Sequence, residues 1–95
     1  MIVEKKLIIS HKQGLHARPA AIFVQIANKF ESTISVRKNG QEVNGKSIMG
    51  ILMLAAEKDS QICIRAEGTD AKKAVEALSE LLLSGVEDKN GVKEK

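Results

Sequence analysis

A histidine, an arginine and a proline stand within four positions in the stretch GLHARPA, residues 14 to 20. The chain has only two histidines and one proline, so this stretch uses one of each. Neutral imidazole is a competent nucleophile toward phosphorus near pH 7. A guanidinium is well suited to holding phosphate. These residue types raise the hypothesis that His16 accepts a phosphoryl group and that Arg18 contacts it.

The same stretch lies where a helix is predicted to begin, since apolar residues recur at helical spacing from Ala17 to Phe30. The first amides of a helix point outward and carry partial positive charge, so the backbone of Ala17 and Arg18 should bind phosphate. Pro19 has no backbone N–H, but an N–H in the first turn of a helix has no acceptor within the helix, so no helical hydrogen bond is lost. This positive field should lower the pKa of His16 and keep more of it neutral.

A structural role for His16 is the alternative, because a histidine near a helix start is usually a surface or capping residue. His11 serves as the comparison within the chain. It lies in a polar loop with no Arg-Pro after it, so we predict that it has no chemical role.

The other elements follow from hydrophobic periodicity and turn residues. We predict a strand over 2–9, a hairpin over 32–43 turning at Asn39-Gly40, a short helix capped by Ser47, a strand from Gln61 to Glu67, and a helix capped by Thr69 or Asp70 and ended by Gly85. Each strand has one apolar face, which in the strand from Gln61 to Glu67 is Ile62, Ile64 and Ala66, and each helix has one apolar stripe. In the last helix this stripe is Ala74, Val75, Leu78, Leu81 and Leu82. The pattern predicts a two-layer α+β fold of order βαββαβα, with three helices on one face of a four-stranded, mainly antiparallel sheet.

The short helix, SIMGILMLAA, is too apolar to have an ordinary solvent-exposed face. We expect four of its side chains to remain exposed and to form a docking patch for partner proteins: Ile48, Met49, Leu52 and Met53. The alternative is a helix enclosed by the core, for which a chain of 95 residues has little room. Ser47 needs no role beyond capping this helix.

Composition narrows the range of functions. A net charge of +3 with interleaved Lys and Glu, and two Phe without Trp or Tyr, argue against a nucleic-acid binder. Cys63 is the single cysteine, which excludes an internal disulfide, and no cluster has zinc-ligand spacing. With no signal peptide and no membrane-length apolar run, we expect a cytoplasmic protein that does not insert into a membrane. We also expect a monomer with no metal ion and no cofactor.

Two motifs together carry a family resemblance. GLHARPA resembles the active-site segment of HPr, the histidine-containing phosphocarrier of the phosphotransferase system, and GKSIMG at 45 to 50 resembles its regulatory-serine segment. The likeness covers about residues 1 to 85, so we expect a phosphocarrier domain over 1–86 and a frayed tail over 87–95. It implies an open-faced β-sandwich, phosphorylation of His16 at Nδ1, phosphate contact by Arg18, and a second helix that packs against partner enzymes.

The resemblance also implies partners. Enzyme I would donate the phosphoryl group of phosphoenolpyruvate, enzyme IIA components would accept it, and in some bacteria HPr kinase/phosphorylase would phosphorylate Ser47. The segment ILMLAAEKDSQICIRAEG is more similar to the nitrogen-related NPr branch, whereas KSIMG is similar to kinase-regulated HPr. Transport and regulation therefore both stay open, as does a non-catalytic interaction module. The HPr homologue without the active histidine is set aside, because His16 is present. A free-standing enzyme is not expected, since no second acid-base residue is fixed near His16.

Overall fold

A computed structural model of the chain describes residues 1–10, 15 and 17–84. The elements are β1 (Ile2–Ile8), α1 (Ala17–Ala27), β2 (Thr33–Lys38), β3 (Gln41–Asn44), α2 (Ile48–Leu54), β4 (Gln61–Glu67) and α3 (Ala71–Ser84). This is the predicted order βαββαβα. The predictions for His11, His16, Gly85 and the tail 87–95 fall outside the described residues.

The four strands form one sheet in the order β1-β4-β2-β3, and every pairing is antiparallel. The alternation predicted for β4 is confirmed: Ile62, Ile64 and Ala66 are buried, whereas the residues between them are half-buried or exposed. α3 packs against β1 and β4, and α2 packs against β3 and β2, so the helices cover one face. The opposite face is open, as expected for this two-layer fold.

The β2–β3 hairpin turns at Asn39 and Gly40, as predicted. Lys38 pairs with Gln41, which leaves a two-residue loop, and both loop residues have positive φ, 51° and 82°. This is the signature of a type I′ turn, whose twist matches that of the flanking strands. Asn tolerates the left-handed region better than most residues, and Gly has no Cβ to oppose it.

The core is aliphatic apart from Phe23, which is fully buried. α3 contributes its predicted stripe, and all five side chains are buried: Ala74, Val75, Leu78, Leu81 and Leu82. α1 contributes Ala20, Phe23 and Ala27, while Val24 is only half-buried. α1 packs on both α2 and α3, so it holds the helical layer together.

Two local predictions need correction. α1 ends at Ala27 instead of Phe30, because the amides of Lys29 and Phe30 turn back to the carbonyls three residues earlier. Asp70 does precede α3, and its carbonyl accepts the amide of Ala74 at 3.0 Å. Its carboxylate, however, accepts the amides of Glu31 and Ser32, 39 and 38 residues away, so it ties α3 to the start of β2.

Candidate functional site

The start of α1 is held by residues on both sides of His16. Leu15 is buried and donates its amide to the carbonyl of Ala56 at 2.7 Å. Ala17 is the first residue of α1, the side chain of Arg18 is exposed, and Pro19 is buried in the first turn. His16 itself lies outside the described residues, so its role stays a prediction.

The segment before α1 is also anchored at its other end. The amide of Ile9 donates to the carbonyl of Ser60 at 2.9 Å, and the amide of Asp59 donates to the carbonyl of Ile9 at 2.8 Å. The hydroxyl of Ser10 donates to the carbonyl of Leu83 at 2.6 Å, near the end of α3. The end of β1, the start of α1, the segment after α2 and the end of α3 therefore meet at one end of the molecule.

The electrostatics at the start of α1 suit an anion. The first turn of α1 contains no acidic residue. A helix leaves its first amides without partners inside the helix, and its dipole adds partial positive charge there. Pro19 removes one donor, so Ala17 and Arg18 are the backbone groups nearest to His16 in the chain that could hold a phosphoryl oxygen. The exposed guanidinium of Arg18 is available on the same turn.

The exposed apolar side chains predicted on the short helix are present. Ile48, Met49, Leu52 and Met53 are 38, 63, 38 and 67 % exposed and share one side of α2. We call these four residues the α2 face. Ile51 and Leu54, on the other side of the helix, are buried in the core. A helix enclosed by the core is therefore excluded, whereas docking through the α2 face stays a prediction.

Three contacts fix α2 in place. Gly50 sits so close to β3 that a Cβ there would lie 3.2 Å from the carbonyl oxygen of Asn44. Ser47 caps the helix, as predicted, and its hydroxyl accepts the amide of Gly50 at 3.1 Å. At the other end, the ammonium of Lys38 donates to the carbonyl of Ala55 at 3.0 Å. A cation at a helix C-terminus is favourable because it satisfies free carbonyls and opposes the dipole.

The α2 face and the segment that carries His16 are neighbours. Ala55 is the C-cap of α2, and the carbonyl of the next residue, Ala56, accepts the amide of Leu15. One backbone hydrogen bond therefore connects the end of α2 to the residue before His16. A partner protein that covers the α2 face would therefore lie near Leu15, the residue that precedes His16 in the chain.

Sequence reasoning did not find the polar side chains that hold these elements. They are Lys38 and also Lys46, whose ammonium donates to the carbonyl of Phe30 at 2.6 Å. Both donors reach carbonyls 16 or 17 residues away, and no local pattern of the sequence signals such a pair. Over residues 1–10, 15 and 17–84, no three His, Cys, Asp or Glu side chains could hold a metal ion, and no helix could cross a membrane.

Known proteins resemble the chain over most of its length. Residues 3–84 match the PTS-HPr family, described as the PTS HPr component phosphorylation site. The HPr-like protein Crh of Halalkalibacterium halodurans is 51 % identical over 77 residues, which are 81 % of this chain and 92 % of that protein. The phosphocarrier protein HPr of Xylella fastidiosa is 46 % identical over 80 residues, 84 % of this chain and 90 % of that protein.

Solved structures agree with these relatives. The phosphocarrier protein HPr of Bacillus anthracis has a TM-score of 0.83 at 51 % identity and covers 85 % of this chain and 96 % of its own. Crh of Bacillus subtilis, solved as a dimer with a swapping domain, has a TM-score of 0.69 at 42 % identity and covers 84 % of this chain and 92 % of its own. With its βαββαβα order and open antiparallel sheet, the chain belongs to the HPr family of the phosphotransferase system.

Proposed function

We propose that the chain accepts a phosphoryl group from enzyme I on His16 and passes it to an enzyme IIA component of a sugar phosphotransferase system. The proposal rests on the position of His16 in the sequence, immediately before the first residue of α1. The first turn of α1 contains no acidic residue, and its second residue is the exposed Arg18. Relatives called HPr and Crh match at similar identity, so overall similarity does not separate them. A phosphocarrier needs an atom to which the phosphoryl group becomes bonded, and the imidazole of His16 supplies a nucleophilic nitrogen for this.

The transfer is a displacement at phosphorus. In the first step, Nδ1 of His16 attacks the phosphoryl group held on a histidine of enzyme I. A nitrogen–phosphorus bond forms on His16 as the corresponding bond to enzyme I breaks. The amides of Ala17 and Arg18 and the guanidinium of Arg18 stabilise the charge on the phosphoryl oxygens. In the second step, a histidine of enzyme IIA attacks, and His16 is the leaving group.

Docking supplies what the chain alone lacks. In-line attack needs the nitrogen of the accepting histidine about 3–3.5 Å from the phosphorus, on the side opposite the bond to the donor histidine, and only a bound partner can arrange this geometry. The α2 face provides the apolar contact, and its two methionines can adapt to more than one partner. Enzyme I and enzyme IIA would therefore use overlapping parts of the same surface, one after the other.

Ser47 adds a control point to this proposal. It stands at the start of α2, next to Ile48 and Met49 of the α2 face. A phosphate there would carry about two negative charges beside the apolar contact, opposing docking by desolvation and repulsion. HPr kinase/phosphorylase would be the modifying enzyme where the source bacterium has one.

The acceptor separates this proposal from its alternative. A regulatory carrier of the nitrogen-related branch would use the same His16 chemistry but would deliver the phosphoryl group to the enzyme IIA of that branch. The KSIMG segment, which is similar to that of kinase-regulated HPr, favours the sugar branch. An assay with both classes of acceptor distinguishes the two.

A reconstituted relay tests the function. Enzyme I, phosphoenolpyruvate and Mg²⁺ load the protein, which is then separated and mixed with sugar-branch or nitrogen-branch enzyme IIA. We expect wild type and His11→Ala to transfer label to the sugar-branch acceptor, and His16→Ala to transfer none. Met49→Asp should raise the KM for enzyme I, whereas Ile2→Asp, at a similarly exposed residue of β1, should leave it unchanged. Transfer by His16→Ala, or none by the wild type with active enzyme I, would contradict the proposal.

A further inference from the structure

The open face of the sheet brings two cations to the same place. Cys63, on β4, pairs directly with Lys6 of β1 on one side and with Arg37 of β2 on the other. Side chains of directly paired residues point to the same face of a sheet. Lys6 and Arg37 therefore stand on either side of the Cys63 thiol, on the face that carries no helix.

The acidic residues of this face do not neutralise the two cations. Arg65, further along β4, forms ion pairs with the Glu4 carboxylate at 3.3 Å and with the Glu67 carboxylate at 3.5 Å. Glu42 pairs with Arg37 across the hairpin, yet no ion pair forms between them. Among the described residues, neither Lys6 nor Arg37 has an ionic or hydrogen-bonded side-chain partner. The open face thus has a neutralised half around Arg65 and a cationic half, in which Lys6 and Arg37 outnumber Glu42.

The cationic half contains a shallow recess of about 210 Å³. It is lined by Lys6, Arg37, Asn39, Gln61, Ile62 and Cys63, with no acidic residue among them. Two cations and two side-chain amides therefore surround one depression. Carboxamide N–H groups donate hydrogen bonds to anions, and a guanidinium binds phosphate through two parallel bonds.

We propose that this recess is a second anion site, which binds a small free molecule bearing a phosphate group. Its volume is below the 300–1,000 Å³ typical of sites for drug-sized ligands, so it suits a phosphate group with a short substituent. Lys6 supplies a point charge, Arg37 a bidentate contact, and Gln61 and Asn39 further donors. Binding in so open a recess weakens as salt rises, because solvent and ions screen the charges. The site is independent of His16 and of the α2 face.

The probe is inorganic phosphate, which is titrated into the protein while chloride is lowered to keep the ionic strength constant. Binding is followed by the NMR chemical shifts of the protein's backbone amides. Cys63, the single cysteine, adds a second readout, since an occupied recess should slow its alkylation by iodoacetamide. The test variants are Lys6→Gln and Arg37→Gln. The matched control is Lys5→Gln, which removes a neighbouring exposed cation of β1 that points to the other face.

We expect saturable shifts around residues 6, 37 and 61–63 together with slower alkylation of Cys63. Each test variant should weaken phosphate binding about tenfold or more, the loss expected for one charge-assisted hydrogen bond, and Lys5→Gln should not. Shifts that are linear in phosphate, or equal in the variants and the wild type, would overturn the proposal. Binding to phosphatidic acid vesicles with no response to inorganic phosphate would overturn the assignment to a free ligand. Phosphorylation of His16 by enzyme I should be normal in all three variants.

Discussion

Asp70 holds three donors from a distant part of the chain with a single carboxylate. It accepts the hydroxyl of Ser32, the amide of Glu31 at 2.9 Å and the amide of Ser32 at 3.0 Å. The Ser32 hydroxyl, followed by the Glu31 amide, holds the pKa of Asp70 below its ordinary value, against the smaller opposing effect of desolvation. The folded state therefore prefers the ionised carboxylate, which makes stability depend on pH.

The sign of that dependence gives a prediction. The stabilisation should be complete above about pH 4, the ordinary pKa of an aspartate, and should be lost as pH falls through the lower folded-state pKa. Asp70→Asn should lower the urea midpoint at pH 7, and its difference from wild type should shrink below pH 4. Glu57→Gln, at an exposed carboxylate, should follow the wild-type curve. A constant difference between Asp70→Asn and wild type from pH 7 to pH 2 would contradict this account.

Ser47 allows charge to be tested apart from capping. Asp and Asn cap helices about as well as Ser, so Ser47→Asp and Ser47→Asn should both keep α2 folded. Only Asp adds a negative charge beside the α2 face. We expect Ser47→Asp to raise the KM for phosphorylation by enzyme I and Ser47→Asn to leave it near the wild-type value. Equal kinetics for the two variants would show that charge at this position does not oppose docking.

At the scale of elements, the end of α2 is locally strained. Ala55 caps the helix with φ 52° and ψ 44°, in the left-handed region. This conformation costs a residue with a Cβ about 1–2 kcal/mol, whereas glycine adopts it readily. Ala55 is followed by Ala56, whose carbonyl accepts the amide of Leu15. The strained residue is therefore one position away from the contact with Leu15.

Ala55→Gly should therefore stabilise the fold. Relief of the left-handed strain outweighs the extra freedom that glycine gives the unfolded chain, for a net gain of about 1 kcal/mol. That gain corresponds to a rise in Tm of about 4–8 °C for a domain of this size. The matched control is Ala21→Gly inside α1, which should lose about 0.5–1 kcal/mol. A lower Tm for Ala55→Gly than for wild type, in a thermal melt followed by circular dichroism, would contradict the assignment.

The whole molecule can be predicted from the sequence to the extent that its contacts are local. Periodicity and turn residues are enough for the element order, the Asn39-Gly40 turn, the Ser47 cap and the exposed α2 face. The end of α1 and the role of Asp70 could not be predicted in this way. The end of α1 depends on the amides of Lys29 and Phe30, which turn back to carbonyls three residues earlier although the apolar spacing continues. The role of Asp70 depends on a contact with the amide of Ser32, 38 residues away.

The edges of the sheet bear on the oligomeric state. β3 has only four residues, and β1 carries Glu4, Lys5 and Lys6 in succession. Short or charged edge strands resist pairing with another sheet. We therefore expect a monomer of 10.3 kDa by light scattering coupled to size-exclusion chromatography. A mass twice that value would contradict the expectation and would place the chain with the dimeric Crh of Bacillus subtilis.

Intact-mass measurement shows directly whether His16 is the phosphoryl acceptor. Wild type, His11→Ala and His16→Ala are each incubated with enzyme I, phosphoenolpyruvate and Mg²⁺ and measured before and after mild acid. We expect one acid-labile phosphoryl group on the wild type and on His11→Ala, and none on His16→Ala. One phosphoryl group on His16→Ala, or none on the wild type while enzyme I phosphorylates itself, would contradict this expectation.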